Sequence, residues 1–268
     1  MTMPNQWQEQ IEHVCAHIGI SQIDLLLDQA GWGHRAVPAL EMLTPEVPWF
    51  SLFTGTPEQN LLDQAPLLMR LDLTQWQHKA WLDQLVEHAT DGRLMVVISS
   101  LPFEVLSKTL QGFSQLAWGG QTGLLRYYDS RIFPLLMSSI LTDQQRAEFL
   151  QAVAYWGWLD RDNQPQWLQG TRLTHQSNIQ VTPFVEINDQ QFDLLGCISD
   201  AQQLLNGKNF DFLDESRERR FALIHSLIVQ AGQENYFGDL TEYVKQNLSG
   251  TKLRSEEHTS ELQSPSGS

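Results

Sequence analysis

The order of apolar and polar positions divides the chain into a strand–helix alternation followed by a helical stretch. Trp7, Ile11, Val14 and Ile18 recur at helical spacing and predict an amphipathic helix over residues 5–18. Ile23-Asp24-Leu25-Leu26-Leu27-Asp28 is a nearly continuous apolar run, the pattern of a strand buried on both faces. Trp49 to Phe53 and Pro66 to Leu71 predict two further strands, separated by the polar turn Gly55-Thr56-Pro57-Glu58. Thr74 and Gln77 have capping-box spacing and open a helix running towards Asp91-Gly92. Leu94-Met95-Val96-Val97-Ile98 is the clearest buried strand, and Ser99-Ser100 with Pro102 begins a helix over 102–114. The glycines from 119 to 123 predict a turn into a strand at 124–128. Helices follow over 131–141 and, from a capping box at Thr142 and Gln145, to 150.

This alternation predicts an α/β (α+β) fold whose N-terminal lobe, residues 1–150, carries a mixed sheet. Residues 151–187, interrupted by Gly157, Pro165, Gly170 and Pro183, read as an irregular connecting region. Helical patterns over 188–206, 212–231 and 239–248 predict a smaller, mostly helical lobe spanning 188–250. Residues 254–268 stand apart. Arg254 to Ser264 resembles an in-frame translation of a sequencing adapter, and this tail is expected to add nothing to the fold.

The 268 residues carry a net charge of −15; the last fifteen contribute one Arg and three Glu, so the remainder carries −13. Such a balance repels nucleic acid and anionic lipid, and neither is an expected partner. The only basic cluster, Arg217, Arg219 and Arg220, is interleaved with Glu215 and Glu218 and reads as a solvated helix face. Cys15 and Cys197 are too few for a disulfide framework, which fits a reducing compartment. Residues 1–22 do not resemble a signal peptide, and no apolar run approaches the ~20 residues that cross a bilayer. A soluble cytoplasmic protein is expected.

No catalytic motif is recognisable. His13 and His17 are four apart beside Cys15, but no third zinc ligand accompanies them. The glycines at 119–123 precede a strand, whereas phosphate loops follow one. Ser99-Ser100 lacks the glycines of a nucleophile elbow and suits an N-cap. Asp160 and Asp162 sit in a polar turn. The sequence therefore predicts no catalytic residue, no metal and no cofactor. What remains is the run from Leu124 to Leu136, where Arg126, Asp129 and Arg131 crowd the end of an expected buried strand. Left unpaired there, a charge costs several kcal/mol, so the three must be paired. They are candidates for organising the lobe or shaping a partner-binding edge. Trp156 and Trp158, in a short polar-interrupted region, are candidates for the same roles, as core residues or as exposed anchors.

The same segment carries a resemblance. Leu124 to Leu136 is similar to the "R-F-Y-D-P-R-V-L" signature of the type VI secretion effector chaperone (adaptor) family, long catalogued as a domain of unknown function. Ile23 to Ala30 resembles its opening strand, Ala65-Pro66-Leu67-Leu68 its "A-P-x-L" strand, and Ile98 to Leu106 its strand-to-helix step. Ala231 to Val244, with Tyr236-Phe237-Gly238-Asp239, is similar to the helix pair that often closes these proteins. Two departures stand out: Ser130 replaces the signature proline, and Thr109-Leu110-Gln111 replaces a His-Leu-Arg. The resemblance implies a non-enzymatic cytoplasmic adaptor that binds a toxic effector and the VgrG spike protein. An immunity protein binding a single toxin, or a small hydrolase with a dispersed site, would be the alternatives.

Overall fold

The computed structural model describes residues 3–30, 36–88, 92–171 and 184–248; the adapter-like tail lies outside them. Contacts divide the chain into two units, residues 1–192 and 193–268.

The first unit opens with α1 (Met3–Ile18), β1 (Gln22–Asp28), α2 (Ala36–Leu40) and β2 (Trp49–Ser51). There follow β3 (Pro66–Asp72), α3 (Trp76–His88), β4 (Leu94–Ile98) and α4 (Phe103–Phe113). A hairpin of β5 (Gln115–Trp118) and β6 (Gln121–Leu124) comes next. Beyond it lie α5 (Phe133–Leu135), which runs into a π-turn at Leu136–Ile140, and α6 (Asp143–Gln151). The unit closes with β7 (Tyr155–Leu159), β8 (Pro165–Gln169), β9 (Val185–Glu186) and the first turn of α7 (Asp189–Asn206).

Six strands form one sheet in the order β2-β3-β1-β4-β7-β8, and every pairing in it is antiparallel. The predicted mixed sheet is thus divided. Among the described residues, parallel pairing occurs only in a small second sheet, β6-β5-β9, between β5 and β9. Helix α3 does join two co-directional strands, β3 and β4, but β1 lies between them and is antiparallel to both. Strand–helix alternation in sequence cannot distinguish this split crossover from a directly paired parallel one.

The sheet is buried on both faces, as the apolar runs of β1 and β4 require. On one face Ile23, Leu25, Leu27, Met69, Val96 and Ile98 pack with Trp7, Ile11 and Cys15 of α1 and Trp81, Leu82 and Leu85 of α3. On the other lies an aromatic core: Phe113 stacks on Phe149 with ring centres 4.0 Å apart, and Tyr127 and Phe133 abut Trp156 at 6.1 and 5.1 Å. Within the expected connecting region 151–187, residues 155–169 are therefore not a connector, because β7 pairs with β4 and supplies Trp156 and Trp158 to this core. Pro165 opens the edge strand β8, and Gly157 lies inside β7 where the Trp167 ring leaves no room for a Cβ.

Local signals were met unevenly. Thr142 and Gln145 form the predicted capping box on α6. Thr74 does not cap α3; its N–H and hydroxyl both serve Asp72 Oδ1, and the helix starts two residues later. Gly119 and Gly120 both have positive φ (55° and 78°) in a two-residue hairpin turn, which few other residues allow. In the second unit α8 (Arg217–Gln233) is capped by Ser216, and Asp239 caps a last helix, residues 240–248.

One charge pair is built into the aromatic face. Asp24 lies opposite Arg70 across the β1–β3 ladder and accepts two bonds from it, at 2.7 and 2.8 Å. The Arg70 guanidinium also lies 5.5 Å from the Phe103 ring centre. Burial outweighs these bonds and pushes the Asp24 carboxyl up to about 6, from 3.8 in the unfolded chain. Folded Asp24 holds its proton the more tightly, so its contribution to stability is complete below 3.8 and is lost as pH rises through about 6. Urea unfolding across this window will show a decline in the wild type that Asp24→Asn lacks; parallel profiles would refute the assignment. Near neutral pH, Arg70→Met leaves the carboxylate buried and alone, and the same assay will show a loss of about 3 kcal/mol or more.

Candidate functional site

The segment from Leu125 to Ile132 is not a strand. The ladder ends at Leu124, and residues 125–132 form a sequence of tight turns, although Leu125, Tyr127, Tyr128, Asp129 and Ser130 are all buried. Apolar and aromatic density misled the strand expectation, since it reflects burial here and not extended pairing. Side chains and backbone replace the missing ladder. The Tyr127 hydroxyl donates to Leu110 O (3.0 Å), Ser130 N to Gly92 O (3.1 Å), and Ser130 Oγ to Leu159 O (2.9 Å). The turn is thereby tied to α4, to the approach to β4 and to the end of β7.

The three predicted charges meet here, together with a fourth. Arg126 Nη2 bonds Asp28 Oδ2 at 2.8 Å and lies 3.5 Å from Asp129 Oδ2. Arg131 grips Asp129 with Nε and Nη2 at 2.8 and 2.7 Å, while its own N–H donates to Oδ1. Both carboxylates are buried, with side chains 3% exposed; the side chains of Arg126 and Arg131 keep 45% and 26% of their surface. Alternating signs leave the row neutral. Burial on its own would lower the Arg126 pKa, but Asp28 and Asp129 outweigh it and hold the guanidinium above its ordinary range. Burial, with Asp28 beside it, raises the Tyr128 phenol, so it stays protonated.

Asp28 was the partner not anticipated. Its signal was a matter of counting: two arginines and one aspartate leave a positive surplus, and a buried surplus calls for a second carboxylate. Asp28 ends β1, and its other oxygen accepts from Ala30 N at 3.0 Å, so both of its oxygens are bonded. Gly92 completes the frame. Its φ is +79°, and a Cβ there would meet Arg131 Cγ at 2.9 Å and Asp129 Oδ1 at 3.1 Å.

The other candidates separate. Trp156 (0% exposed) and Trp158 (8%) belong to the core, which overturns their role as exposed anchors and leaves them an organising one. A pleated strand within the sheet buries alternate side chains whatever polar residues flank it. Apolar surface appears elsewhere: Phe184 and Phe192 are about two-fifths exposed, Trp76 is 74% exposed, and in the second unit Phe237 is 95% exposed. Trp118 stacks on Phe192 at 3.9 Å and donates to Asp189. Cys15 faces the core and burial pushes its thiol up to about 12, while His13 and His17 point outwards. Among the described residues no three His, Cys, Asp or Glu side chains gather as a metal site would require. Ser99 is fixed as a turn residue, donating to Ala152 O and accepting from Leu101 N.

An open groove of about 410 Å³ lies between α6 and β9, bordered by Thr142, Gln145, Glu148, Phe184 and Glu186. Gln145 organises it. Its Oε1 accepts from Thr142 N and from Gln191 Nε2, and its Nε2 donates to Glu186 O. Gln191 in turn forms a reciprocal cap with Asn188 at the start of α7. Two helix starts and the rim of the small sheet are thus fixed by two glutamine side chains.

Arg126→Met leaves Asp28 with one bond fewer. Arg126 is nearly half exposed, so the cost, discounted for screening, is about 2 kcal/mol in urea unfolding. Adding Asp28→Asn will restore part of it, and a double-mutant cycle with no coupling would show that the pair contributes nothing. Gly92→Ala will cost about 2 kcal/mol or more, from the left-handed backbone and the contact with Arg131 together.

No helix of the described residues is long and apolar enough to cross a membrane. Neither the curated proteins nor the solved structures contain a match to the chain. Residues 25–148, from β1 through the charge row to α6, match a family model described as "Domain of unknown function (DUF4123)".

Proposed function

We propose that this chain is a non-enzymatic adaptor, or chaperone, of type VI secretion, working in the cytoplasm. It holds a toxic effector and the VgrG spike protein and brings one to the other. The observation that carries this reading is the segment 124–136. It carries the resemblance to the adaptor family, it falls inside the matched residues 25–148, and its charges are spent on one another. A row of mutually neutralised charges with both carboxylates buried holds a frame; it offers no nucleophile and no free base to a substrate. Around that frame the protein exposes large aromatic side chains on an acidic background of −15, which suits binding of apolar and basic surfaces on other proteins.

Tagged full-length chain, expressed in a bacterium that carries type VI secretion, will co-purify with the spike protein and one large effector, identified by mass spectrometry at moderate salt. Recovery of a toxin without the spike would replace the adaptor with an immunity protein. A chain that purifies alone would overturn both.

A further inference from the structure

The groove between α6 and β9 differs from the rest of the first unit in its chemistry. Its floor is apolar, formed by Phe149 and Val185, which are 1% and 4% exposed, and its rim carries the part-exposed Phe184. Two carboxylates, Glu148 and Glu186, line it, and among the described residues no lysine or arginine does. Asp143, at the start of the same helix, has a side chain 95% exposed. The only cation on α6, Arg146, is directed to Asp143 and to Met137 O.

The walls are held in place before any partner arrives. Gln145 and Gln191 lock the first turn of α6 to β9 and to Ile140 O, so opening the groove would break several bonds at once. Preformed walls lower the ordering cost of binding. A space of about 410 Å³ holds a few side chains, the footprint of a short peptide segment and not of a whole domain face. Self-association through this groove is opposed by charge, because a second copy would bring another −15 to an acidic rim.

We propose that this groove docks a short segment of a partner protein in which an apolar side chain is flanked by lysine or arginine. The apolar side chain sits on Phe149 and Val185 beside Phe184, and the cations meet Glu148 and Glu186. This inference rests on the reading of the chain as a protein-binding adaptor, and adds to it which surface and which partner chemistry are used.

The probe is a fluorescein-labelled decapeptide alternating Lys and Leu, with a Glu/Leu peptide as control, titrated against the full chain by fluorescence anisotropy. The Lys/Leu peptide will bind and the control will not, and binding will weaken as salt is raised. The double variant Glu148→Lys/Glu186→Lys will lose about tenfold or more in affinity, and Phe184→Ala about as much, with circular dichroism of each variant showing that the lost binding is that of folded protein. Equal affinity in wild type and variants would overturn the groove as the docking site, as would equal binding of the two peptides. The co-purification, repeated with the double lysine variant, separates this inference from its premise. Partners retained by that variant overturn the groove but keep the adaptor, partners lost only in the variant support both, and partners absent even from the wild type overturn the adaptor itself.

Discussion

The structure depends on how β1 carries acid through a buried sheet. Asp24 and Asp28 lie four residues apart on a strand, and therefore on the same face, and both are almost fully buried. An isolated carboxylate there would be expelled or protonated. Arg70 answers the first from the neighbouring strand, which fixes the β1–β3 register. Arg126 answers the second from a turn nearly a hundred residues later, and that turn must then sit at the end of β1. From this constraint follow the placement of Asp129 and Arg131 and the glycine at 92. The path of the chain into α5 follows as well. Replacing such a network with apolar side chains need not weaken a fold, so its value lies in selecting one arrangement of the turn over others.

Much of this was legible in the chain itself, for identifiable reasons. Strands β1 and β4 are continuous apolar runs, and such runs have few alternatives once a domain is large enough to cover both faces. The box at Thr142 and Gln145 formed even though Gln145 also bonds Gln191 and Glu186, whereas the Thr74 hydroxyl turns back to Asp72, two residues earlier, and does not cap α3. Sheet direction and order were not legible, because both depend on which strand inserts between β3 and β4, a long-range choice that no local pattern encodes. The charge row was half legible: Arg126, Asp129 and Arg131 announced a pairing, but Asp28 looked like the polar end of a strand.

The tryptophans teach a related lesson. Trp156, Trp158 and Trp167 stand among Asp, Asn and Gln, and that setting left exposed anchors open beside ordinary core packing. Alternation along β7 explains what happened instead. Trp156 and Trp158 point to the aromatic core, and Tyr155 faces α1 and α3 on the opposite side, where Trp167 joins it and bonds Gln10. Polar neighbours in sequence belong to the β7–β8 turn, where Asp160 gathers the N–H groups of Asp162 and Gln164. Exposed aromatic surface arose on segments with weak periodic signal, such as Phe184 beside a two-residue strand.

The extent of the family match acquires a physical meaning from these contacts. Residues 25–148 contain the charge row, yet the sheet that buries it is completed from outside them. Helix α1 supplies Trp7, Ile11 and Cys15 to one face, and β7 supplies the partner strand for β4 and two tryptophans to the other. Ser130, at the centre of the motif, donates to Leu159 O on β7. The matched segment is therefore the part of the lobe that carries its signature, while the cooperative unit that can hold Asp28 and Asp129 away from water runs from α1 through β8. Buried carboxylates cannot stand apart from the strands that exclude water from them, so the flanks belong to the folded lobe as much as the matched segment does.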